Sequence, residues 1–139
     1  MVILDTNVLS ELMRQRPERM VTIWLDRQAE PSVWTTSINV FEIRSGIEIL
    51  PDSRRRSLLE TEFERLIEED IGRRVISFDT AAAEQAATLL TVRQRAGRPG
   101  ELRDTMIAGI VLANHATLAT RNTRHFADLP VPMVNPWSE

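Results

Sequence analysis

Four polar residues spread along the chain have types suited to shared chemistry: Asp5, Glu42, Asp104 and Asn122. Asp5 closes the apolar run Val2-Ile3-Leu4, which reads as a buried strand, and in open parallel sheets ligands bind beyond the C-terminal ends of the strands. Glu42 lies one turn into a predicted helix, four residues beyond Ile38. Asp104 opens another helix, and Asn122 follows a short strand. If one rim gathers them, the carboxylates repel and raise one another's pKa unless a cation neutralises them. Oxygen donors without thiolates select magnesium or manganese. Such a metal acidifies a water and braces a phosphoryl oxygen, which together allow water to hydrolyse a phosphodiester.

Each residue also has a plainer use. Asp5 can cap the helix that follows it, and Glu42 can sit on a polar stripe. Asp104 can serve only the helix dipole, and Asn122 can simply make a turn. The joint order and placement of the four carry the functional reading.

The elements that must position them follow from periodicity. After the first strand, Val8 to Met13 suits a short helix, and Val21, Trp24 and Leu25 recur at helical spacing up to Ala29. Ser32 to Thr36 is β-branched and aromatic, hence a second strand, and Thr36 or Ser37 can cap a helix from Ile38 to Leu50. Pro51 ends it. From Ser53, the residues Leu58, Leu59, Phe63, Leu66, Ile67 and Ile71 fall at spacings of three and four, the clearest amphipathic helix in the chain. Arg74 to Phe78 reads as a third strand. Asp79-Thr80 caps an alanine-rich helix through Arg95, whose small residues permit close packing. A turn at Gly97 to Gly100 leads to a helix from Leu102 to His115. Thr117 to Thr120 supplies a fourth strand, Asn122 to Phe126 a loop or single helical turn, and Pro132 to Asn135 an edge strand. Alternating strands and helices imply right-handed crossovers and an α/β fold: a mostly parallel sheet of four to five strands with helices on both faces.

Composition limits what such a site could serve. The 139 residues suit one domain, 1–139, and 42% apolar content is ordinary for a globular protein. With no cysteine, disulfides and thiol nucleophiles are excluded. No stretch approaches the roughly 20 apolar residues that span a bilayer, and the opening run is too short for a signal peptide, so a cytoplasmic protein is expected. A net charge of −3 does not advertise nucleic-acid binding. Every basic residue is nevertheless arginine, whose planar fork suits phosphate, and several are grouped, as at Arg93, Arg95 and Arg98 or Arg121 and Arg124. Local patches within an acidic whole remain open. Trp24, Trp34 and Trp137 read as core or interface residues, and His115 and His125 as ordinary helix-end or loop residues.

A resemblance covers almost the whole chain. The start Val2-Ile3-Leu4-Asp5-Thr6-Asn7, the segment Ser37 to Gly46 around Phe41-Glu42-Ile43-Arg44, Asp104-Thr105-Met106-Ile107-Ala108-Gly109, and Ala119-Thr120-Arg121-Asn122 through Phe126 are similar to PIN-domain ribonucleases. Within that family the chain most resembles VapC toxins of type II toxin-antitoxin pairs, in the FitB-like branch, down to the closing Asn135-Pro136-Trp137. The resemblance implies a PIN-like fold and a magnesium-dependent endoribonuclease, with manganese as substitute. Asp5, Glu42 and Asp104 match the family's acidic positions, with Asp5 and Asp104 as metal ligands. Thr6, Asn7 and Thr120 match supporting polar positions. Asn122 stands where the family often has aspartate, which leaves three carboxylates and weakens a second metal more than the first. Arg44 and Arg121 are candidates for contacts to RNA phosphates.

A toxin of this type implies a VapB-like antitoxin that inhibits it, contact with operator DNA only through that antitoxin, and a homodimer. The helices from Ile38 to Leu50 and from Ser53 to Ile71 are the expected walls for the antitoxin. Two rivals differ in chemistry. A haloacid-dehalogenase-like phosphatase needs a second aspartate two residues after the first, a position held here by Asn7. A non-catalytic PIN-fold module, acting with a DNA-binding antitoxin in transcriptional autoregulation, is favoured by the charge missing at Asn122 and disfavoured by the three acids retained.

Overall fold

The strand β1, Val2–Leu4, lies at the centre of the sheet and is buried along its whole length. Its residues alternate between two cores because successive strand side chains point to opposite faces. Val2 and Leu4 enter one cluster and Ile3 the other. The computed structural model describes residues 1–138.

Around β1 the sheet is built from β2 (Val33–Thr36), β3 (Val75–Ile76), β4 (Thr117–Ala119) and β5 (Met133–Val134) in the order β3-β2-β1-β4-β5, with every pairing parallel. Ile3 pairs in register with Trp34 on one side and Leu118 on the other, and Leu4 with Ala119. That register brings Asp5 and Thr120, each one residue past its strand, out at the same edge as Thr36, the last residue of β2.

The first core lies under the helices α1 (Thr6–Leu12), α2 (Arg19–Asp26), α3 (Ser37–Glu48) and α4 (Arg54–Arg65), where Leu9, Val21, Ile43, Ile47 and Phe63 meet. The second lies under α5 (Thr80–Arg95) and α6 (Leu102–Ala113), with Leu89, Ile107, Ile110 and Phe126 at its centre. Close approach of α5 and α6 depends on small residues, for a Cβ placed on Gly109 would stand 2.6 Å from the Ala82 carbonyl. No helix among the described residues is long and apolar enough to cross a membrane.

The expected α/β architecture is therefore present, with five strands, and its elements differ from expectation mainly at their ends. The first helix begins at Thr6, two residues early, because the Asp5 carboxylate accepts the Thr6 N–H and caps it. The long amphipathic helix is α-helical only to Arg65, after which Leu66–Asp70 forms a wider π turn. There the Ile71 N–H donates to the Leu66 carbonyl at 3.0 Å, so that two side chains five residues apart are both buried. Gly72 and Arg73, with φ of 59° and 61°, then reverse the chain, and the following edge strand keeps only two of its five expected residues. The helix α6 stops at Ala113, and His115 adopts a φ of 50° before β4.

Candidate active site

Asp5 follows β1 in extended conformation, and its backbone N–H still donates to Ala119 of β4 at 2.9 Å. Its side chain is 5% exposed and its charge is met by three donors. Oδ1 accepts from the Thr6 N–H at 2.9 Å and from Asn39 Nδ2 at 3.0 Å, while Oδ2 accepts the Thr120 hydroxyl at 2.8 Å. Hydrogen bonds to a charged acceptor of this kind are about twice as strong as neutral ones and hold the carboxylate in one orientation.

The donors are themselves fixed. Asn39 is buried in the first turn of α3, where Thr36 both caps the helix and donates its hydroxyl to Asn39 Oδ1 at 2.6 Å. The same amide donates to the Thr6 hydroxyl at 3.0 Å. The Thr120 hydroxyl accepts from Asn7 Nδ2 at 3.2 Å and from the Asn122 N–H at 3.0 Å, and Asn7 Oδ1 accepts the Arg121 N–H at 3.1 Å. Thr6, Asn7 and Thr120 thus tie the ends of β1 and β4 together around Asp5.

Glu42 reaches this shelf from the next turn of α3. Its Oε1 accepts the Thr6 hydroxyl at 2.9 Å, and its Oε2 lies 3.8 Å from Arg103 Nη1. Asp104, in the first turn of α6, faces them with far less compensation. Its Oδ2 stands 3.2 Å from His125 Nδ1. Burial first, and then the negative charge of Asp5, push the Asp104 carboxyl above its ordinary range. His125 opposes this rise, while Glu42 and Glu101 add to it.

Asp5, Glu42, Asp104 and Asn122 all line one open cleft of about 350 Å³, which Arg103 and His125 share. The predicted set is therefore brought to one place. Among the described residues, no three acid or histidine side chains converge on a point at metal-ligand spacing. Two acids lean on nitrogen-bearing neighbours instead, Glu42 toward the Arg103 guanidinium and Asp104 toward the His125 ring. The donor set still fits a hard divalent cation: it is all oxygen, and three carboxylates, those of Asp5, Glu42 and Asp104, line one cleft.

The arginine candidates fall outside the cleft. Arg44, two residues past Glu42 and so turned well round the helix, lies over the Phe63 ring at 5.8 Å. Arg121 stands beside Asn122 with its guanidinium 4.9 Å from the Trp137 ring. Sequence reasoning missed Asn39, whose only signal is its place three residues after a capping threonine. It also missed Arg103, the neighbour of Asp104, and took His125 for an ordinary loop residue, whereas the helical turn Thr123–Phe126 carries it to the cleft.

Comparison with known proteins is consistent along the whole chain. The PIN domain profile matches residues 2–132. Plasmid stability protein StbB of Pseudomonas syringae pv. tomato is 38% identical over 137 residues, 99% of each chain. A VapC ribonuclease of Sinorhizobium fredii is 32% identical, covering 99% of this chain and 98% of that one. Toxin FitB of Neisseria gonorrhoeae is 31% identical over the full length of both. Among solved structures, FitAB bound to a DNA fragment superposes with a TM-score of 0.88 at 31% identity, covering 100% of this chain and 97% of that one.

Proposed function

The chain belongs to the PIN domain family, and on that premise we propose that it is the toxin of a type II toxin-antitoxin pair, a divalent-metal-dependent endoribonuclease acting through Asp5, Glu42, Asp104 and Asn122. The observation that carries this reading is the convergence of these four residues, from four separate segments, on one cleft at the strand ends.

Asp5 and Asp104 would hold the ion, magnesium in the cell with manganese able to replace it. When bound, that ion neutralises the carboxylates, lowers the pKa of a water and polarises a phosphoryl oxygen. The remaining groups position and balance charge. Asn39, Thr6 and Thr120 keep both Asp5 oxygens aimed, so the ligand needs no reorganisation when the ion arrives. Glu42 keeps Oε1 on Thr6 and would accept the proton of the attacking water at Oε2, while Arg103 beside it keeps the carboxylate ionised beforehand. Asn122 lines the cleft without adding a carboxylate, and Arg121 offers a phosphate contact from the rim.

In the cell this reading entails a VapB-like antitoxin, contact with operator DNA through that antitoxin only, a homodimer, and a cytoplasmic location. An apolar groove supports the antitoxin assignment. It is lined by Met13, Ile47, Leu50 and Leu59 of α1, α3 and α4 and their flanks, and it reaches Thr6 and Glu42 at one end. A bound segment following it would arrive at the acids.

Purified protein freed of any partner should cleave single-stranded RNA with magnesium or manganese and not in chelator, and Asp5→Asn should abolish the cleavage. Activity that persists in chelator, or in that variant, would overturn the proposal. A protein that never cuts RNA but still represses transcription with its partner would instead support the non-catalytic reading.

A further inference from the structure

A second groove, of about 430 Å³, opens from the acid cleft and shares Glu101, Asp104 and His125 with it. It runs between the end of α5, the turn before α6 and the helical turn Thr123–Phe126.

Its floor is Arg93, which is 3% exposed and has every guanidinium nitrogen hydrogen-bonded. Nε and Nη2 donate to the two Asp128 carboxylate oxygens at 3.0 and 3.1 Å, Nη1 donates to the Thr105 hydroxyl at 2.9 Å, and Nη2 also donates to the His125 carbonyl. The turn closes on this guanidinium at Gly100, whose φ is 65° and where a Cβ would stand 2.8 Å from Arg93 Nη1. One buried side chain therefore joins α5, the first turn of α6 and the segment carrying His125.

Charge along the groove is unequal. Asp128 is matched by Arg93, whose hydrogen bonds hold its carboxyl below the ordinary range, and Glu101 is matched by Arg103 at 3.1 Å. Arg98 and Arg124 are exposed and form no ion pair among the described residues. Unpaired arginines occur elsewhere on this chain, but these two share one groove, and that groove leads to the acids. A polyanion is repelled by the acid cleft and attracted by its neighbour.

We propose that single-stranded RNA lies along this groove, with phosphates flanking the cut held by Arg98 and Arg124 over the fixed Arg93–Asp128 floor. The proposal rests on the nuclease reading and extends it to the path of the substrate. Arginine forks suit phosphate oxygens, and the braced floor keeps the two arginines in place relative to Asp104.

The test is binding of a short single-stranded RNA of mixed sequence in chelator, over a series of salt concentrations. The Arg98→Ala/Arg124→Ala double variant should bind about tenfold more weakly, and its plot of log affinity against log salt should be shallower by about 1.4, the loss of two single-strand phosphate contacts. The Arg98→Lys/Arg124→Lys pair should recover most of the salt slope, and Arg27→Ala, on the far end of α2, should match wild type. With magnesium, the alanine pair should raise KM for RNA cleavage and leave kcat nearly unchanged. Wild-type affinity and slope in the alanine pair would overturn the proposal, as would intact RNA binding with a weakened antitoxin complex, which would give the groove to a protein partner. Because binding is read without turnover, a wild type that fails to cleave counts against the nuclease reading and not against the groove.

Discussion

Asp5 and Asp104 face the same cleft from opposite surroundings. Asp5 is buried on a shelf made by two strand ends and the start of α3, and three donors meet its charge. Asp104 sits at a helix start with the His125 ring nitrogen 3.2 Å away, and its carboxyl is pushed upward by burial and by Asp5. The first carboxylate is preorganised by the protein; the second is left for something else to neutralise. That difference places the demand for a cation on the α6 side of the cleft, and it makes opposite predictions for substitutions on the two sides.

The largest expected effect is on the Asp5 side. Asn39→Ala removes donors to Asp5 and Thr6 and strands the buried Thr36 hydroxyl, so it should cost about 2–3 kcal/mol in urea unfolding. A loss below about 0.5 kcal/mol would mean that Asp5 does not depend on this shelf. On the other side, Asp104→Asn should stabilise the metal-free protein. The folded carboxyl titrates above its unperturbed 3.8, so ionising it disfavours the native state. The penalty is absent below 3.8, grows as pH rises through the folded value and is complete at neutral pH. The variant should therefore melt higher than wild type at pH 7, although it forfeits the His125 contact, and the gain should vanish in acid. A variant that melts lower at pH 7 would show His125 to outweigh the repulsion. The smallest effect concerns Asn122. Asn122→Asp adds a carboxylate to the cleft and should tighten manganese binding about tenfold by calorimetry, while slightly lowering metal-free stability. Unchanged affinity would place this residue outside the ion's reach.

Much of this was legible in the chain because strand ends announce themselves. A short apolar run closed by Asp5, a threonine cap before Glu42, and Ala119-Thr120 before Asn122 put those residues on one rim once the strands are taken as parallel. Of the partners that set each acid's behaviour, Thr6 and Thr120 were named only through the family resemblance, and Asn39, Arg103 and His125 were not legible at all. Asn39 lies inside a helix and carries no sign that its amide turns inward to Asp5. His125 reaches the cleft from a turn of four residues to which Arg93, 32 residues earlier, donates a hydrogen bond, and no local pattern encodes that. The π turn at Leu66–Asp70 was hidden because its apolar spacing also satisfies a regular helix. Arg44 illustrates the reverse error: nearness in sequence to Glu42 placed it at the rim, and 3.6-residue periodicity turned it away.

The most direct measurement is a manganese titration of the metal-free protein, with binding heat and RNA cleavage followed on the same preparation. Cleavage should be absent at zero metal, rise in step with occupancy in the wild type, and collapse together with binding in Asp104→Asn. Cleavage without metal, or manganese binding undiminished in Asp104→Asn, would contradict the assignment of this cleft.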